Sequence, residues 1–467
     1  MATGISKGKK GIEYWRTKAE IRRRQCKELH QKIKRLQQSR DNWRRRCKSG
    51  IGVQENRTRI SRHRYSAEVI LLGLAMHVIH NVSLRAVSGT LKRLGELQGF
   101  NFSRLSATTI RDWCMRFGLY YLSHRSTGGN YALIIDESVS IGQEKILLIL
   151  GVPLSDQYSR IAPLNMQEVE VLHVGSRTSW KGCEMSSIID RWRFDSGATV
   201  AYAISDGASN LKNGLNLSKI PWVYDCSHVI SNQIQKMFEK DEQLSTLVKH
   251  INTTRTLWPS SQWAPYMPPC MRKKARFHQI LSLHVWAEKM LDHYEQLPGP
   301  VQSQLVYLKE YKDLIRTFKT ISVLMEIFCG IFKAKGINLN TIGLWHKQAD
   351  IVCQNLTTHT SQIFTFKNTM DEYLHQTWLS LSQHDQILCC SDVIESMFGK
   401  YKNKAGAQMI SADILKIAAF SQKMDIEKVR QAMTSTSNMD VSIWAKANTT
   451  RSLLTLKRKI AKQFLAA

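Results

Sequence analysis

Two apolar runs that each end in an aspartate, Tyr131-Ala-Leu-Ile-Ile-Asp136 and Val200-Ala-Tyr-Ala-Ile-Ser-Asp206, decide the predicted fold. Aliphatic and β-branched residues in runs of this length favour strands. Similar runs along the chain predict strands at 131–135, 145–152, 169–174, 199–205 and 222–224. A helical pattern at 180–194 separates the third strand from the fourth. The middle of the chain is therefore predicted to be an α/β domain.

The predicted order is three strands, a helix, a strand, a helix and a strand. This order is typical of an RNase H-like fold, in which the first and fourth strands lie side by side at the centre of the sheet. We therefore expect Asp136 and Asp206 to meet at neighbouring strand ends. A single aspartate after a strand is more often a turn residue or a helix cap. The prediction rests on the pair, and on neither residue alone.

A third carboxylate, Glu395, lies in the helical stretch Ser391-Asp-Val-Ile-Glu-Ser-Met-Phe-Gly-Lys400. Two divalent ions about 3.5–4 Å apart can activate a nucleophile and stabilise the leaving oxygen in phosphodiester chemistry. Carboxylate oxygens are the ligands that Mg²⁺ prefers. Asp136, Asp206 and Glu395 are therefore the predicted catalytic residues and the predicted ligands of two Mg²⁺ ions, for which Mn²⁺ can substitute.

A further acidic residue follows the fifth strand, in Tyr224-Asp-Cys-Ser-His228. Asp225 can compete as a metal ligand, or Asp225 and His228 can support the ligands from behind by hydrogen bonds. A third alternative is that Asp225 only caps the helix that follows it. The sequence leaves these three roles open.

The charge of the chain predicts a polyanionic partner. The 467 residues carry a net charge of +28, which favours nucleic acid. Residues 1–64 hold 21 Lys and Arg against five Asp and Glu, a local charge of +16. The stretch 21–48 lacks Pro and Gly and is predicted to be helical. Apolar residues near heptad spacing allow a short coiled coil, and a solitary basic helix lying along DNA phosphates is equally compatible.

Residues 65–125 have the layout of a helix-turn-helix domain, with apolar helices at 67–80 and 84–97 and a third helix at 107–121 that Ser106 caps. The last helix of such a domain enters the major groove, and a plain three-helix bundle is the alternative. The predicted DNA contacts lie on the polar face of the third helix, in the N-terminal segment and after Glu395. They are Thr108, Thr109, Arg111, Arg116, Arg44, Arg45, Arg46, Lys400 and Lys402.

The predicted fold class is an α/β RNase H-like catalytic core with a large all-α insertion, preceded by a helical DNA-binding region. Residues 240–385 lose strand character and carry long helical stretches, and a basic amphipathic helix is predicted at 451–464. The predicted domains are a basic helical or coiled-coil segment at 1–64, the helix-turn-helix domain at 65–125, the first part of the core at 126–239, the insertion at 240–388, and the rest of the core with basic C-terminal helices at 389–467.

Together these residues resemble the DDE transposases, and more closely the branch of Mutator-type and hAT-type enzymes. That branch has an all-α insertion before the Glu and a C/D-x-x-H motif after the second Asp, which Asp225-Cys-Ser-His228 matches. The resemblance implies that Asp136, Asp206 and Glu395 are the catalytic triad and that Lys402 is the basic residue following the Glu. It also implies an insertion aromatic that stacks on a flipped base, for which the candidates are Trp258, Trp263, Trp286, Trp345 and Trp378.

The expected function is that of a bacterial insertion-sequence transposase, which cleaves DNA at the element ends and joins the freed 3′-hydroxyl to target DNA. The expected partners are double-stranded terminal repeats, target DNA and at least one further copy of the chain, because two ends need two active sites. The alternatives are an RNase H-like nuclease without strand transfer and a domesticated transposase that only binds DNA. The sequence shows no leader, no long apolar stretch and no C-x-x-C pair. This predicts a cytoplasmic, nucleoid-associated protein without membrane contact or a zinc ribbon.

Overall fold

The computed structural model describes residues 5–48, 60–61, 63–99, 102–139, 144–154, 160–271, 280–356, 361–405 and 410–450. The strands are β1 Asn130–Val139, β2 Lys145–Leu154, β3 Glu170–Arg177, β4 Thr199–Ser205 and β5 Trp222–Tyr224. The helices before and among the strands are α1 Ile5–Lys48, α2 Ala67–Leu74, α3 Leu84–Leu97, α4 Ala107–Ser123, α5 Gly182–Ser196 and α6 Ser209–Leu217. The helices after them are α7 Cys226–Phe238, α8 Glu242–Leu257, α9 Ile280–Asp292, α10 Gly299–Leu305, α11 Lys312–Lys335, α12 Leu339–Gln354, α13 Ser361–Ser380, α14 Asp392–Ala405, α15 Lys416–Phe420, α16 Ile426–Ser435 and α17 Asn438–Asn448.

The chain divides into two compact units, Met1–Leu71 and Leu72–Ala467. The first unit contains α1, a helix of 44 residues. The large apolar side chains of its described middle part are exposed: Ile21, Leu29, Ile33 and Leu36. Arg44, Arg45 and Arg46 belong to this helix, but their side chains lie outside the described part of the structure. The choice between a coiled coil and a solitary DNA-binding helix therefore stays a prediction.

The second unit is built on a five-stranded mixed sheet of order β3-β2-β1-β4-β5. The first three strands pair antiparallel, whereas β1 with β4 and β4 with β5 pair parallel. The prediction that the first and fourth strands are neighbours is confirmed by pairs such as Leu133 with Ala203 and Ile134 with Ile204. A mixed α/β class with a helical remainder is thus confirmed.

The two faces of the sheet are distinguished by the alternation of side chains along β1. Tyr131, Leu133 and Ile135 enter an apolar cluster with residues of α5 and α6. The alternate residues, including Ile134 and Asp136, therefore belong to the opposite face. Helix α14 packs against β1, and it carries Glu395.

The structure corrects one detail of the sequence prediction for Asp136. The predicted strand ends at 135, but β1 continues to Val139 because β2 pairs with it over its whole length. Asp136 therefore lies inside the antiparallel pair, opposite Leu148. Relative to β4 it still lies beyond the last parallel pair, Ile134 with Ile204. Asp136 is therefore paired with β2 on one side and is beyond the end of the pairing with β4 on the other.

Helices α3 and α4 pack on each other, and α4 also packs against α15, α16 and α17. Eight of the 17 residues of α4 are buried, from Ile110 to Leu122. The guanidinium of Arg116 donates to the backbone oxygens of Thr436 at 2.6 Å and Met433 at 2.5 Å. The guanidinium of Arg116 is thus engaged within the second unit, and its predicted contact with DNA stays a prediction.

The segment between α7 and α14 is helical, as predicted for residues 240–388. Its described residues form α8 to α13, short 3-10 turns and one isolated bridge between Ile337 and Ile387. Helices α11 and α13 pack against α7. The predicted helix at 451–464 lies outside the described residues. Among the described helices, none combines the length and apolar character needed to cross a bilayer.

Gly118 tests how closely α4 packs in this unit. A Cβ at Gly118 would lie 1.9 Å from the backbone oxygen of Leu415. Gly118→Ala should therefore lower the free energy of unfolding by about 3 kcal/mol. Gly89, in α3, has open space around it, so Gly89→Ala should be neutral or stabilising by about 0.5–1 kcal/mol. Denaturant unfolding of both variants is the measurement, and equal effects would contradict the packing of α4.

Candidate active site

Three aspartates stand at one level across the parallel part of the sheet. The last β1–β4 pair is Ile134 with Ile204, so Asp136 and Asp206 each lie two residues further on. The last β4–β5 pair is Ser205 with Tyr224, so Asp225 follows at the level of Asp206. Because side chains alternate along a strand, equal register places these carboxyl groups on one face of the sheet.

Asp136 is half-buried, and its Oδ1 accepts a hydrogen bond from the backbone N–H of Glu137 at 2.7 Å. Burial and, after it, the negative charge of Asp206 raise the pKa of Asp136 to about 7. A charge in a poorly solvated place beside a second charge of the same sign favours the protonated form. The two aspartates therefore form one electrostatically coupled pair.

Asp206 sits at the turn that leaves β4. Its Oδ1 accepts a hydrogen bond from the backbone N–H of Ala208 at 2.9 Å, just before α6 begins. Gly207 adopts a φ of +81°, a conformation that glycine takes without steric cost. The turn thus fixes the carboxylate of Asp206 at the edge of the sheet.

Glu395 reaches the aspartates from α14. Its negative charge contributes to the raised pKa of Asp136, so it lies within electrostatic reach of the pair. Its side chain is 55% exposed, and its Oε1 lies 3.8 Å from Nε2 of His228. The interaction with Glu395 raises the pKa of His228 above its ordinary value. The structure therefore brings Asp136, Asp206, His228 and Glu395 into one neighbourhood.

Asp225 connects the two helices that carry His228 and Glu395. Its carboxyl group is buried, with 0% of the residue exposed. Oδ1 accepts a hydrogen bond from the backbone N–H of His228 at 2.9 Å and so caps α7. Oδ2 accepts one from the backbone N–H of Ser391 at 2.6 Å, immediately before α14. Of the three roles left open by the sequence, these contacts show the helix cap, whereas metal binding and support of the metal ligands stay predictions.

A cleft of about 590 Å³ opens between α7, α11 and α14. Its lining is polar: Ser227, His228, Ser231, Lys333, Asp392, Glu395 and Ser396. Asp392, the carboxylate one turn before Glu395, is engaged by Lys333 at 2.7 Å and accepts from the Ser227 hydroxyl at 3.3 Å. Lys333 was missed by sequence reasoning because α11 carries no motif, and only the folded chain brings it to the site.

The other residues predicted to contact DNA differ in how far they are exposed to solvent. Lys400 is half-buried, and its Nζ lies 4.9 Å from the centre of the Phe420 ring. Burial lowers the pKa of Lys400. Lys402 and Thr108 are exposed, as DNA contact requires.

The remaining predicted contacts on α4 interact with neighbouring polar groups. Thr109 is hydrogen-bonded to the capping Ser106. Arg111 lies 3.8 Å from Asp112 and 3.9 Å from Asp413. Among the insertion tryptophans, Trp258 and Trp345 are buried, so neither offers a free ring face to a base.

The donor set fits a divalent cation in part. Asp136 and Asp206 offer oxygen ligands, and the repulsion that raises the pKa of Asp136 is what a cation would relieve. Within the described residues, no three His, Cys, Asp or Glu side chains come close enough together to hold a metal ion. Glu395 points instead to His228. Asp136 and Asp206 thus lie close enough together to interact, whereas Glu395 is not in a position to bind the same ion.

Neither a protein-family model nor a curated protein matches this chain. The likeness to DDE transposases therefore stays a prediction from motifs. The arrangement of Asp136, Asp206 and Glu395 in the folded chain is what a functional proposal can use.

Asp225→Ala should be far more damaging than the loss of an ordinary cap. It removes the cap of α7 and leaves the buried N–H of Ser391 without its acceptor, which should cost about 2–3 kcal/mol of unfolding free energy. Asp241 caps α8 through the N–H of Leu244 at 2.8 Å. Asp241→Ala should therefore cost about 1 kcal/mol. The measurement is denaturant titration of both variants. An equal loss of unfolding free energy would contradict the role of Asp225 in joining α7 to the start of α14.

The pKa of Asp136 predicts a pH dependence of stability in metal-free buffer. The group titrates at 3.8 ordinarily and at about 7 in the folded chain. Between these values only the folded state keeps the proton, so the free energy of unfolding falls as the pH rises from about 4 to 7. Asp136→Asn should flatten this slope and stabilise the protein at pH 8 by about 2–4 kcal/mol. Thermal unfolding from pH 4 to 8 is the measurement, and an unchanged slope would contradict the coupling.

Proposed function

We propose that this chain is a DNA transposase of the DDE type, built on an RNase H-like core. The observation that carries the proposal is the position of Asp136 and Asp206 at one level of two adjacent parallel strands, with Glu395 within electrostatic reach. The strand order β3-β2-β1-β4-β5 supports the RNase H-like assignment. A helical segment between β5 and the Glu395 helix supports the likeness to Mutator-type and hAT-type enzymes.

Asp136, Asp206 and Glu395 are the residues that would hold two divalent ions, Mg²⁺ or Mn²⁺. Such ions supply activation of a water or 3′-hydroxyl and stabilisation of the leaving oxygen. Asp136 is the natural central ligand, because both of the other carboxylates influence its pKa. Glu395 is exposed enough to exchange its contact with His228 for a contact in the site.

The other residues of the site prepare it for a phosphodiester. Asp225 holds α7 and α14 in place, so that His228 and Glu395 face the aspartate pair. The interaction with Glu395 raises the pKa of His228 above its ordinary value, which favours a positive charge on the imidazole opposite an anionic strand. Lys333 brings a positive charge into the adjoining cleft, where a phosphate can be bound beside the acidic cluster.

The charge and the N-terminal helix support binding of double-stranded DNA. The chain has a net charge of +28, and the helix α1 exposes both basic and apolar side chains along its described middle part. Terminal inverted repeats and target DNA are the proposed partners, with a homodimer or a higher oligomer to bring two ends together. In a bacterial cell such a protein would act in the cytoplasm on the nucleoid.

The test is an assay of DNA cleavage and joining. Its substrate carries the element ends, which are identified as inverted repeats in the DNA that flanks the reading frame. Purified full-length protein with Mg²⁺ should cut labelled end DNA and join the 3′ end to a target plasmid. Asp136→Asn, Asp206→Asn and Glu395→Gln should each lower cleavage at least 100-fold, because loss of a ligand oxygen removes electrostatic stabilisation of the reacting phosphate. Addition of EDTA should abolish both reactions.

Asp392→Asn is the matched control, since Asp392 stands one turn before Glu395 but is engaged by Lys333. This variant should retain cleavage within about tenfold, because no metal contact is lost. Cleavage without joining would favour a nuclease, and binding without cleavage would favour a regulator. Full activity of Glu395→Gln would remove Glu395 from the triad.

A further inference from the structure

Three cysteines meet where α7 and α14 begin, and the proposed chemistry uses none of them. Cys226 is the first residue of α7, whereas Cys389 and Cys390 come just before α14. All three are free thiols. The thiol of Cys226 is hydrogen-bonded to those of Cys389 and Cys390. The fold thus brings together sulfur atoms that the whole helical segment separates in sequence.

The backbone around these thiols is already held together. The N–H of Cys226 donates to the oxygen of Cys389 at 2.8 Å. The carboxyl group of Asp225 accepts from the N–H of Ser391 at 2.6 Å. The neighbours of Cys226 and Cys390 are therefore bonded to each other, so joining the two sulfur atoms needs little backbone movement.

The three thiols differ in their access to solvent. Cys226 is 0% exposed and Cys389 is 1% exposed, whereas Cys390 is half-buried. The Sγ of Cys389 donates to the backbone oxygen of Phe332 at 3.8 Å. The Sγ of Cys390 accepts from the N–H of Asp392 at 3.4 Å. A reagent that arrives from solvent therefore meets Cys390 first.

Cys226 is the partner that the geometry favours for Cys390. Adjacent residues have Cα atoms about 3.8 Å apart, which is shorter than the usual minimum of about 4.4 Å for a disulfide. A bond between Cys389 and Cys390 would therefore be strained. Cys329, on α11, lies within electrostatic reach of Cys390, but the hydrogen bond of the Cys390 thiol is to Cys226.

We propose that Cys226 and Cys390 form a reversible disulfide that joins α7 to the start of α14 under oxidising conditions. The bond closes a loop that contains the whole helical segment, and disulfides that close long loops constrain the unfolded chain most. It adds a covalent link beside the hydrogen bonds of Asp225, between the helix of His228 and the helix of Glu395. The proposal goes beyond the proposed function, because it concerns the junction and not the chemistry at the carboxylates.

A small disulfide such as oxidised glutathione is the oxidant. The thiolate of Cys390 attacks one glutathione sulfur, forms a mixed disulfide and releases one glutathione thiolate. The thiolate of Cys226 then attacks the Cys390 sulfur and releases the second glutathione. The two protein thiols lose two protons and two electrons, and the oxidised glutathione takes up both to give two molecules of reduced glutathione.

The rate of this exchange depends on pH. The hydrogen bond with Cys226 and, after it, burial raise the pKa of Cys390. Because only the thiolate attacks a disulfide, the exchange is slow at neutral pH and becomes faster as the pH rises. The pair is thus kept reduced in a reducing compartment and responds to sustained oxidation.

The experiment treats full-length protein with oxidised glutathione at mildly alkaline pH in the absence of oxygen. Free thiols are then alkylated, and the protein is digested without reductant. Mass spectrometry should find a peptide in which Cys226 is linked to Cys390, and dithiothreitol should remove it. Glutathione on Cys183, an exposed cysteine of α5, shows in the same digest that exchange took place.

Matched variants test which thiols form the bond. Cys226→Ala and Cys390→Ala should each lose the linked peptide. Cys353→Ala, at a half-buried cysteine of α12, should keep it. The oxidised wild type should unfold at a Tm about 5 °C above that of the reduced wild type. Cys390→Ala should show no such rise after the same treatment.

Three results would overturn the proposal. The first is glutathione on Cys183 without a peptide linking Cys226 to Cys390. The second is a peptide that links Cys390 to Cys389 or Cys329 instead. The third is the expected peptide without a rise in Tm, since a bond that joins the helices without strain must stabilise them. Cys390→Ala decides if the variant of the fully buried Cys226 does not fold. No readout involves DNA, so these results leave the proposed function to its own cleavage assay.

Discussion

The buried carboxyl group of Asp225 is the contact on which the rest of the site depends. One oxygen caps α7 and the other holds the backbone just before α14. These helices are separated in sequence by the whole helical segment, from α8 to α13. A second bond, from the N–H of Cys226 to the oxygen of Cys389, reinforces the same junction at 2.8 Å. Without this junction, nothing local in the sequence would bring His228 and Glu395 to the ends of β1 and β4.

Two carboxylates of the same site, those of Asp136 and Asp206, repel each other. Asp136 is half-buried next to another carboxylate, and its pKa is raised to about 7 because its charge is poorly solvated and repelled by Asp206. A fold selected for stability alone would avoid this arrangement. A divalent cation bound at this pair would relieve the repulsion, because it would meet oxygen ligands that are already in place. In a chain with a net charge of +28, an acidic pair in the sheet is a local exception, and a function explains it better than packing does.

The sheet could be predicted from sequence because its signal is local. Apolar runs mark the strands, and their order gives the adjacency of β1 and β4. The role of α4 could not be predicted, because its polar face is satisfied by residues more than 300 positions away, as with Arg116 and Thr436. A helix that packs on several neighbours and a helix that reads DNA have similar amphipathic patterns. Likewise, Asp392 and Glu395 stand one turn apart on the same helix, so the sequence does not distinguish them. In the folded chain Asp392 is engaged by Lys333, whereas Glu395 lies near His228 and Asp136.

These distant contacts change how the helical segment is understood. If it were only an appendage inserted in the core, its residues would not reach the candidate site. In the folded chain, Lys333 of α11 engages Asp392 beside Glu395, and Tyr373 of α13 binds the backbone of Tyr224 beside Asp206. The segment therefore touches the site on two sides, at the Glu helix and at the edge strand. A movement of α11 or α13 would be transmitted to both places through these contacts, so the helical segment and the carboxylates are mechanically linked.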